Sequence, residues 1–224
     1  MKILFCHNFY EIKGGEDQNF ILQKELLESK GHRVITYTRR SDELHDYTLL
    51  KKIGLFPVFY FSRKTYGEVR DLIQRERPEI VHVHNIYPLL SPSIYYAASS
   101  MNIPIVQRVP NYRMNCVNGL FLRNNGEVCD RCKKGNFVHA FFGRCYRKSY
   151  FQSLLMGLNL CWQRAFRTFD KIDYFIAPSI FVKKRLEENG FHGTVICIPN
   201  FTVLQDSEMR DAVDKDTLCY FGRL

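Results

Sequence analysis

The sequence predicts an α/β fold, a Rossmann-like parallel sheet with helices on both faces. Short runs rich in β-branched and aromatic residues recur along the 224 residues, separated by longer stretches of helical period. Strand–helix alternation of this kind builds parallel sheets. The apolar runs are nearly continuous rather than alternating, as expected of strands covered on both sides. Hydrophobic residues make up 46% and charged residues 25%, enough to bury a sizeable core, which excludes generic disorder.

Taken in order, residues 3–6 read as the first strand. A polar loop with Gly14 and Gly15 follows, then a helix over about residues 16–30 with Phe20, Ile21, Leu26 and Leu27 on one face. Gly31 stops it at the C′ position. Residues 34–37 form the second strand, and residues 42–62 show no clear period. A basic helix near residues 64–76 leads past Pro78 to a strand at 80–83. Further strands are expected at 105–106, 174–176 and 195–198. Between them, a helix over about residues 147–171 carries Phe151, Leu154, Leu155, Leu158, Trp162, Ala165, Phe166 and Phe169 at three- and four-residue spacing. Its wide apolar stripe is expected to face the core, with a helix lying on a membrane as the other reading. Ser179 is placed to cap a last helix that Gly190 ends.

The texture changes after Pro199. Residues 205–216 are polar and acidic, and 217–221 resume a strand pattern before Gly222 and Arg223. The expected organisation is a domain over 1–200 with a Cys-rich insertion at 110–146, a linker at 201–216, and the first strand and loop of a second domain at 217–224. The chain is therefore expected to be the front part of a longer protein.

The longest apolar stretch, residues 55–61, is broken by Pro57 and falls far short of the roughly 18–20 residues that span a bilayer. The apolar run at the N-terminus is shorter than the about 7–15 residues of a signal peptide's core. A cytoplasmic location follows as the expectation, and the eight cysteines should be thiols or metal ligands rather than disulfides. The net charge of +9 favours an anionic partner, whether nucleic acid, acidic lipid or a phosphorylated metabolite.

Three groups of residues could carry chemistry. Gly14 and Gly15 precede a helix N-terminus, where a phosphate or sugar could sit or where the chain could simply turn; the dinucleotide pattern G-x-G-x-x-G is absent. His82 and His84 share one face of a strand, and His84 with Asn85 lies at its C-terminal end, where open α/β sheets bind ligands. His82 reads as a core histidine and His84 as a candidate catalytic residue. Cys116, Cys129, Cys132 and Cys145 are spaced C-x12-C-x2-C-x12-C, which suits four thiolates on a structural zinc or, alternatively, reduced thiols in a loop ordered by packing. Residues 108–148 carry nine Lys/Arg against Glu127 and Asp130, a surplus that would stabilise four thiolates. Cys6, Cys161, Cys197 and Cys219 read as core thiols.

The order of these features resembles the N-terminal, acceptor-binding domain of family 4 glycosyltransferases, which have the GT-B architecture. The matching segments are Gly14-Gly15-Glu16, Gly31-His32-Arg33-Val34, Val81-His82-Val83-His84-Asn85, Ser91-Pro92-Ser93, Ile103-Pro104-Ile105-Val106, Asn111-Tyr112-Arg113 before Cys116, Ala177-Pro178-Ser179, Ile198-Pro199-Asn200 and Tyr220-Phe221-Gly222-Arg223-Leu224. The resemblance implies a retaining transfer of sugar from a nucleotide-sugar to a glycan or lipid-linked acceptor in surface polysaccharide synthesis, with no catalytic metal. It implies a cleft lined by Gly14, Gly15, His84, Asn85, Asn111 and Arg113, and donor phosphate contacts from Gly222 and Arg223. The chain departs from the pattern at Pro110, where the family commonly has histidine. Without a donor domain the 224 residues alone are expected to be inactive. A peripheral contact with anionic membrane is expected through Lys51, Lys52 and the aromatic segment 56–61. The rival reading is a zinc-stapled nucleic-acid-binding module, supported by the charge and the basic cysteine insertion; under the first reading no nucleic acid is expected.

Overall fold

The computed structural model describes residues 1–12, 14–48 and 57–202. Six strands, β1 (Lys2–Phe9), β2 (Arg33–Arg40), β3 (Ile80–Val83), β4 (Ile105–Arg108), β5 (Tyr174–Ala177) and β6 (Val195–Cys197), form an all-parallel sheet. Their order is β2-β1-β3-β4-β5-β6. The helices are α1 (Gly15–Ser29), α2 (Arg63–Glu76), α3 (Ser93–Ser99), α4 (Val138–Phe142), α5 (Tyr150–Ala165) and α6 (Ile180–Glu188). The chain leaves β1 toward one side of the sheet and returns to β3 on the other. The C-terminal ends of β1 and β3 therefore flank the crevice in which such sheets hold ligands.

Strand periodicity divides β1 between two cores. Ile3 and Phe5 pack with Phe20 of α1. Leu4 and Cys6 join Val69 and Ile73 of α2 and Ile94 of α3 in the larger cluster on the opposite face. Helices thus cover both faces, as the continuous apolar strands predict. The six strands expected within the described residues are present, most of them longer than the apolar runs that mark them.

The helix ends follow local chemistry. Ser62, Ser149 and Ser179 each accept a backbone N–H three residues on, at 3.1, 3.4 and 3.2 Å. Gly31 takes the left-handed conformation beyond α1, at φ +80°.

Two helix faces differ from expectation. In α1, Phe20 is buried, but Ile21 and Leu26 are exposed, and Asp17 and Asn19 are buried instead. In α5, the stripe expected in the core points outward. Phe151, Leu154, Leu158, Trp162 and Phe166 are exposed, whereas Ser153, Gly157, Asn159, Leu160 and Gln163 are buried. The inner face is polar because it meets polar groups that need partners. Asn159 Nδ2 donates to the Tyr87 hydroxyl at 3.0 Å, Gln163 Nε2 to the Tyr60 carbonyl at 3.4 Å, and Ser153 Oγ accepts from the Tyr146 N–H at 2.9 Å.

The segment between β4 and α5 is ordered by packing of its own. Val117, Cys132, Phe137 and Ala140 bury against Leu160 of α5, and Leu122 pairs with Val128 across a short hairpin. Asn115 locks this segment to the domain: its Nδ2 donates to the Leu186 carbonyl at 3.1 Å, and its Oδ1 accepts from Arg164 Nη2 at 3.1 Å.

Among the described residues no helix is long and apolar enough to cross a membrane. Lys51, Lys52, Phe56, Cys219, Gly222, Arg223, the expected linker beyond residue 202 and the strand at 217–221 lie outside the described residues.

Candidate functional site

A cavity opens at the C-terminal ends of β3 and β4 and extends beneath α5. His84, Asn85, Asn111 and Arg113 all line it, together with Glu16, Arg108, Asn159 and apolar side chains including Met156 and Phe169. Four expected cleft residues from two separate segments, 84–85 and 111–113, therefore converge. Gly14 and Gly15 do not line it; their neighbour Glu16 does. Gly14 has an ordinary extended backbone, with φ −128° and ψ −179°, and a Cβ on Gly15 would meet nothing within 4 Å. The N-terminus of α1 already has its anion, because Asp17 Oδ2 accepts from the Gly14 N–H at 3.3 Å and Glu16 lies in the same turn.

The polar groups around the cavity differ in how much hydrogen-bonding capacity they retain. Asn85 is committed: its Nδ2 donates to the carbonyls of Asn8 and Tyr87 at 2.8 and 2.9 Å. Its backbone N–H reaches His7 Nδ1 at 3.3 Å, so His7 carries its proton on Nε2 and donates it to Asp17 Oδ1 at 2.8 Å. His7 is fully buried and held neutral, since burial lowers its pKa more than Asp17 raises it. It is a structural tie. Gln107 spans the strand ends, with Nε2 donating to the His84 carbonyl at 2.8 Å and Oε1 accepting from the Tyr95 hydroxyl at 2.6 Å.

His84 is 5% exposed. Its ring sits among Phe5, His7, Phe20 and His82, and its Nε2 has no protein partner. Burial, then the neighbouring His82, His7 and Arg108, push its pKa well below the usual histidine range, so the imidazole is neutral at physiological pH. His82, expected to be a core histidine, is half-buried and belongs to none of the core clusters; its Nε2 is buried without a protein partner, and burial lowers its pKa to about 4.

Glu16 gathers the opposite wall. Its carboxylate accepts from the Tyr10 hydroxyl and from Asn111 Nδ2, the latter at 3.4 Å. Arg113 Nη1 donates to the Tyr10 hydroxyl at 3.1 Å, and its guanidinium lies 5.9 Å from the Tyr10 ring centroid. Asn111 Oδ1 accepts from the Arg113 backbone N–H at 3.1 Å, which fixes the turn that aims both residues. Gly119 is part of the same device: at φ +75°, an added Cβ would lie 2.7 Å from Arg113 Cγ.

Arg108 is the cavity residue that sequence reasoning missed. It ends β4, is 3% exposed, and donates through Nη2 to Asn200 Oδ1, while Nε and Nη1 are buried without a partner. Burial lowers its pKa and the charge of Glu16 opposes that. A buried guanidinium with two idle nitrogens is ready for an oxygen-rich or anionic group. The signal was a charged residue closing a short strand that opens with Ile105 and Val106.

The four cysteines of the insertion are free thiols. Burial pushes Cys132 up to about 12, and Cys116, Cys145 and Cys129 all push it the same way, so the four lie within electrostatic range of one another. Among the described residues, no three or more His, Cys, Asp or Glu side chains are placed to hold a metal ion. Cys161 is exposed and Cys197 half-buried, not core thiols as expected; Cys6 is fully buried.

A family model now joins this geometry. Residues 14–109 match Glycosyltransferase Family 4. The matched span runs from the glycine turn through Glu16, His84 and Asn85 to Arg108, and so includes half of the cavity wall; Asn111 and Arg113 lie just beyond it. No curated protein matches the chain. Among solved structures, the chain is similar to Staphylococcus aureus MnaA with UDP, at 15% identity and TM-score 0.48, over 88% of this chain and 43% of that one. A UDP-GlcNAc 2-epimerase from Methanocaldococcus jannaschii follows at 13% identity and TM-score 0.47, over 89% and 46%. One from Neisseria meningitidis bound to UDP-GlcNAc has 13% identity and TM-score 0.41, over 88% and 45%. The chain spans less than half the length of each.

Proposed function

We propose that this chain is the acceptor-binding domain of a GT-B glycosyltransferase that moves a sugar, with retention, from a nucleotide-sugar to a glycan or lipid-linked acceptor in surface polysaccharide synthesis. The family 4 match over residues 14–109 supports the reaction class. The observation that carries the site is Arg108, buried in the cavity with Nε and Nη1 idle. In this reading Arg108 takes an anionic or oxygen-rich group of the acceptor, and Arg113, held by Tyr10, adds positive potential beside it. His84 stays neutral and offers Nε2 to a sugar hydroxyl, while Glu16 fixes the wall. Gly222 and Arg223 would meet the donor diphosphate from the second domain, where positive charge stabilises the leaving group. The insertion cysteines Cys116, Cys129, Cys132 and Cys145 would close on a structural zinc, a reading supported by their spacing and mutual proximity.

Steady-state kinetics of the full-length protein test the site. Arg108→Leu should raise the acceptor KM about tenfold or more, the loss of one charge-assisted pair, and leave the donor KM unchanged. A changed donor KM with an unchanged acceptor KM would reassign the cavity to the donor. Salt-dependent binding of DNA or RNA without sugar transfer would favour the nucleic-acid module.

A further inference from the structure

The outward face of α5 is built the wrong way round for a helix whose surroundings are water. Phe151, Leu154, Leu158, Trp162 and Phe166 follow one another at three- and four-residue steps and are 67%, 41%, 46%, 44% and 54% exposed. Trp162 leans on Phe166, with ring centroids 4.1 Å apart. The stripe continues into an open groove of about 720 Å³ walled by Pro57, Tyr60, Phe61, Leu158, Trp162 and Ala165. Contiguous exposed apolar surface of this kind marks an interaction site.

Charge says what covers it. Residues 131–169 contain eight Lys/Arg and no Asp or Glu, and Arg144, Arg147 and Lys148 are exposed beside the N-terminal end of the stripe. Lys133 and Arg167 are paired with Asp130 and Asp170 just outside that span, which leaves Arg144, Arg147 and Lys148 as the cationic end of the stripe. An apolar helix face with such an end fits a helix lying in the plane of an anionic bilayer. We infer that α5 docks the domain on anionic lipid, with the stripe in the acyl boundary and Arg144, Arg147 and Lys148 at the headgroups. The surface differs from the expected contact: of that contact only residues 57–61 are described, and α5 supplies most of the apolar area. Docking by α5 also has a geometric consequence. Met156, Asn159 and Leu160 on the inner face of the same helix line the cavity, so the cavity lies about one helix diameter, roughly 10 Å, from the lipid. That is within reach of an acceptor carried on a lipid.

Trp162 is the only tryptophan in the chain, so its fluorescence reports this face directly. With vesicles of phosphatidylcholine containing about one-third phosphatidylglycerol, its emission should shift to the blue and become shielded from acrylamide; pure phosphatidylcholine should do far less. Leu154→Ser with Leu158→Ser should cut binding about tenfold or more with an unchanged melting temperature. Arg147→Asn with Lys148→Asn should weaken only the anionic-vesicle binding, since asparagine suits the left-handed backbone that both residues adopt, at φ 50° and 55°. Emission indifferent to vesicles would overturn the inference. So would a concentration-dependent dimer abolished by the serine pair, which would assign the face to a second copy. Blue-shifted, shielded emission from the full-length protein before any lipid is added would also overturn it, by showing the face already covered.

Discussion

Removing the cavity arginine should make the domain more stable. Arg108 is 3% exposed and leaves Nε and Nη1 without partners, and its one side-chain bond goes to Asn200, an exposed residue. Water can replace that bond at little cost, on the order of 1 kcal/mol or less. Replacing an imperfectly paired buried charge by an apolar side chain typically gains about 1–4 kcal/mol, and leucine retains the packing of the arginine stem. The net expectation for Arg108→Leu is about 1–3 kcal/mol of added stability. For a chain of this size each kcal/mol moves the melting temperature by about 2–4 °C, so a rise of at least about 2 °C is expected, together with the loss of acceptor affinity. That pairing distinguishes a binding residue kept at the expense of stability from a structural one. A melting temperature lowered by more than about 4 °C would show that the guanidinium holds the fold together and would refute the reasoning.

The buried histidines make the fold acid-sensitive. The unfolded chain protonates His82 and His84 near pH 6.5, whereas the folded chain holds His82 near 4 and His84 well below the usual value; stability is therefore full above pH 6.5 and is lost as pH falls toward 4. Between pH 7.5 and 5, His82 alone should cost about 2 kcal/mol; urea titrations at the two pH values check this, His82→Leu should reduce the difference by about that amount, and equal stabilities would contradict it. Gly119→Ala should cost about 1–2 kcal/mol of stability and also lower activity by displacing Arg113, whereas Gly126→Ala, at φ +83° with open space around it, should carry the backbone cost alone; equal activities of the two variants would remove the steric role. Protein prepared without added zinc should contain about one zinc ion per chain, and a metal content unchanged by Cys129→Ser with Cys132→Ser would end the zinc reading.

How much of this was legible depends on the kind of signal. The strands could be read because each is a short β-branched run between breakers, and the His84–Asn85 corner because a strand's C-terminal end in an open sheet has a fixed meaning. The orientation of α5 could not be read. Periodicity establishes that Leu154, Leu158 and Trp162 share a face, but not which side the domain covers; that was decided by Tyr87, Tyr60 and Tyr146, whose polar groups claimed Asn159, Gln163 and Ser153. The His7–Asp17 tie spans ten residues with no recognisable spacing and depends on the strand-to-helix path. At the glycine turn, Glu16 and Asp17 supply the negative charge that a helix N-terminus favours, and both were visible in the sequence. Arg108 was within reach of sequence reasoning, as a charge at the end of the strand that Ile105 and Val106 open, but only tertiary structure shows that its nitrogens are idle.

Sugar transfer is the decisive property. The full-length protein, given a panel of labelled nucleotide-sugars and membrane-extracted acceptors, should move label from one of them into glycan or glycolipid, and Arg108→Leu should suppress that transfer at low acceptor concentration. Release or interconversion of the nucleotide-sugar with no label entering any acceptor, unaffected by Arg108→Leu, would contradict it.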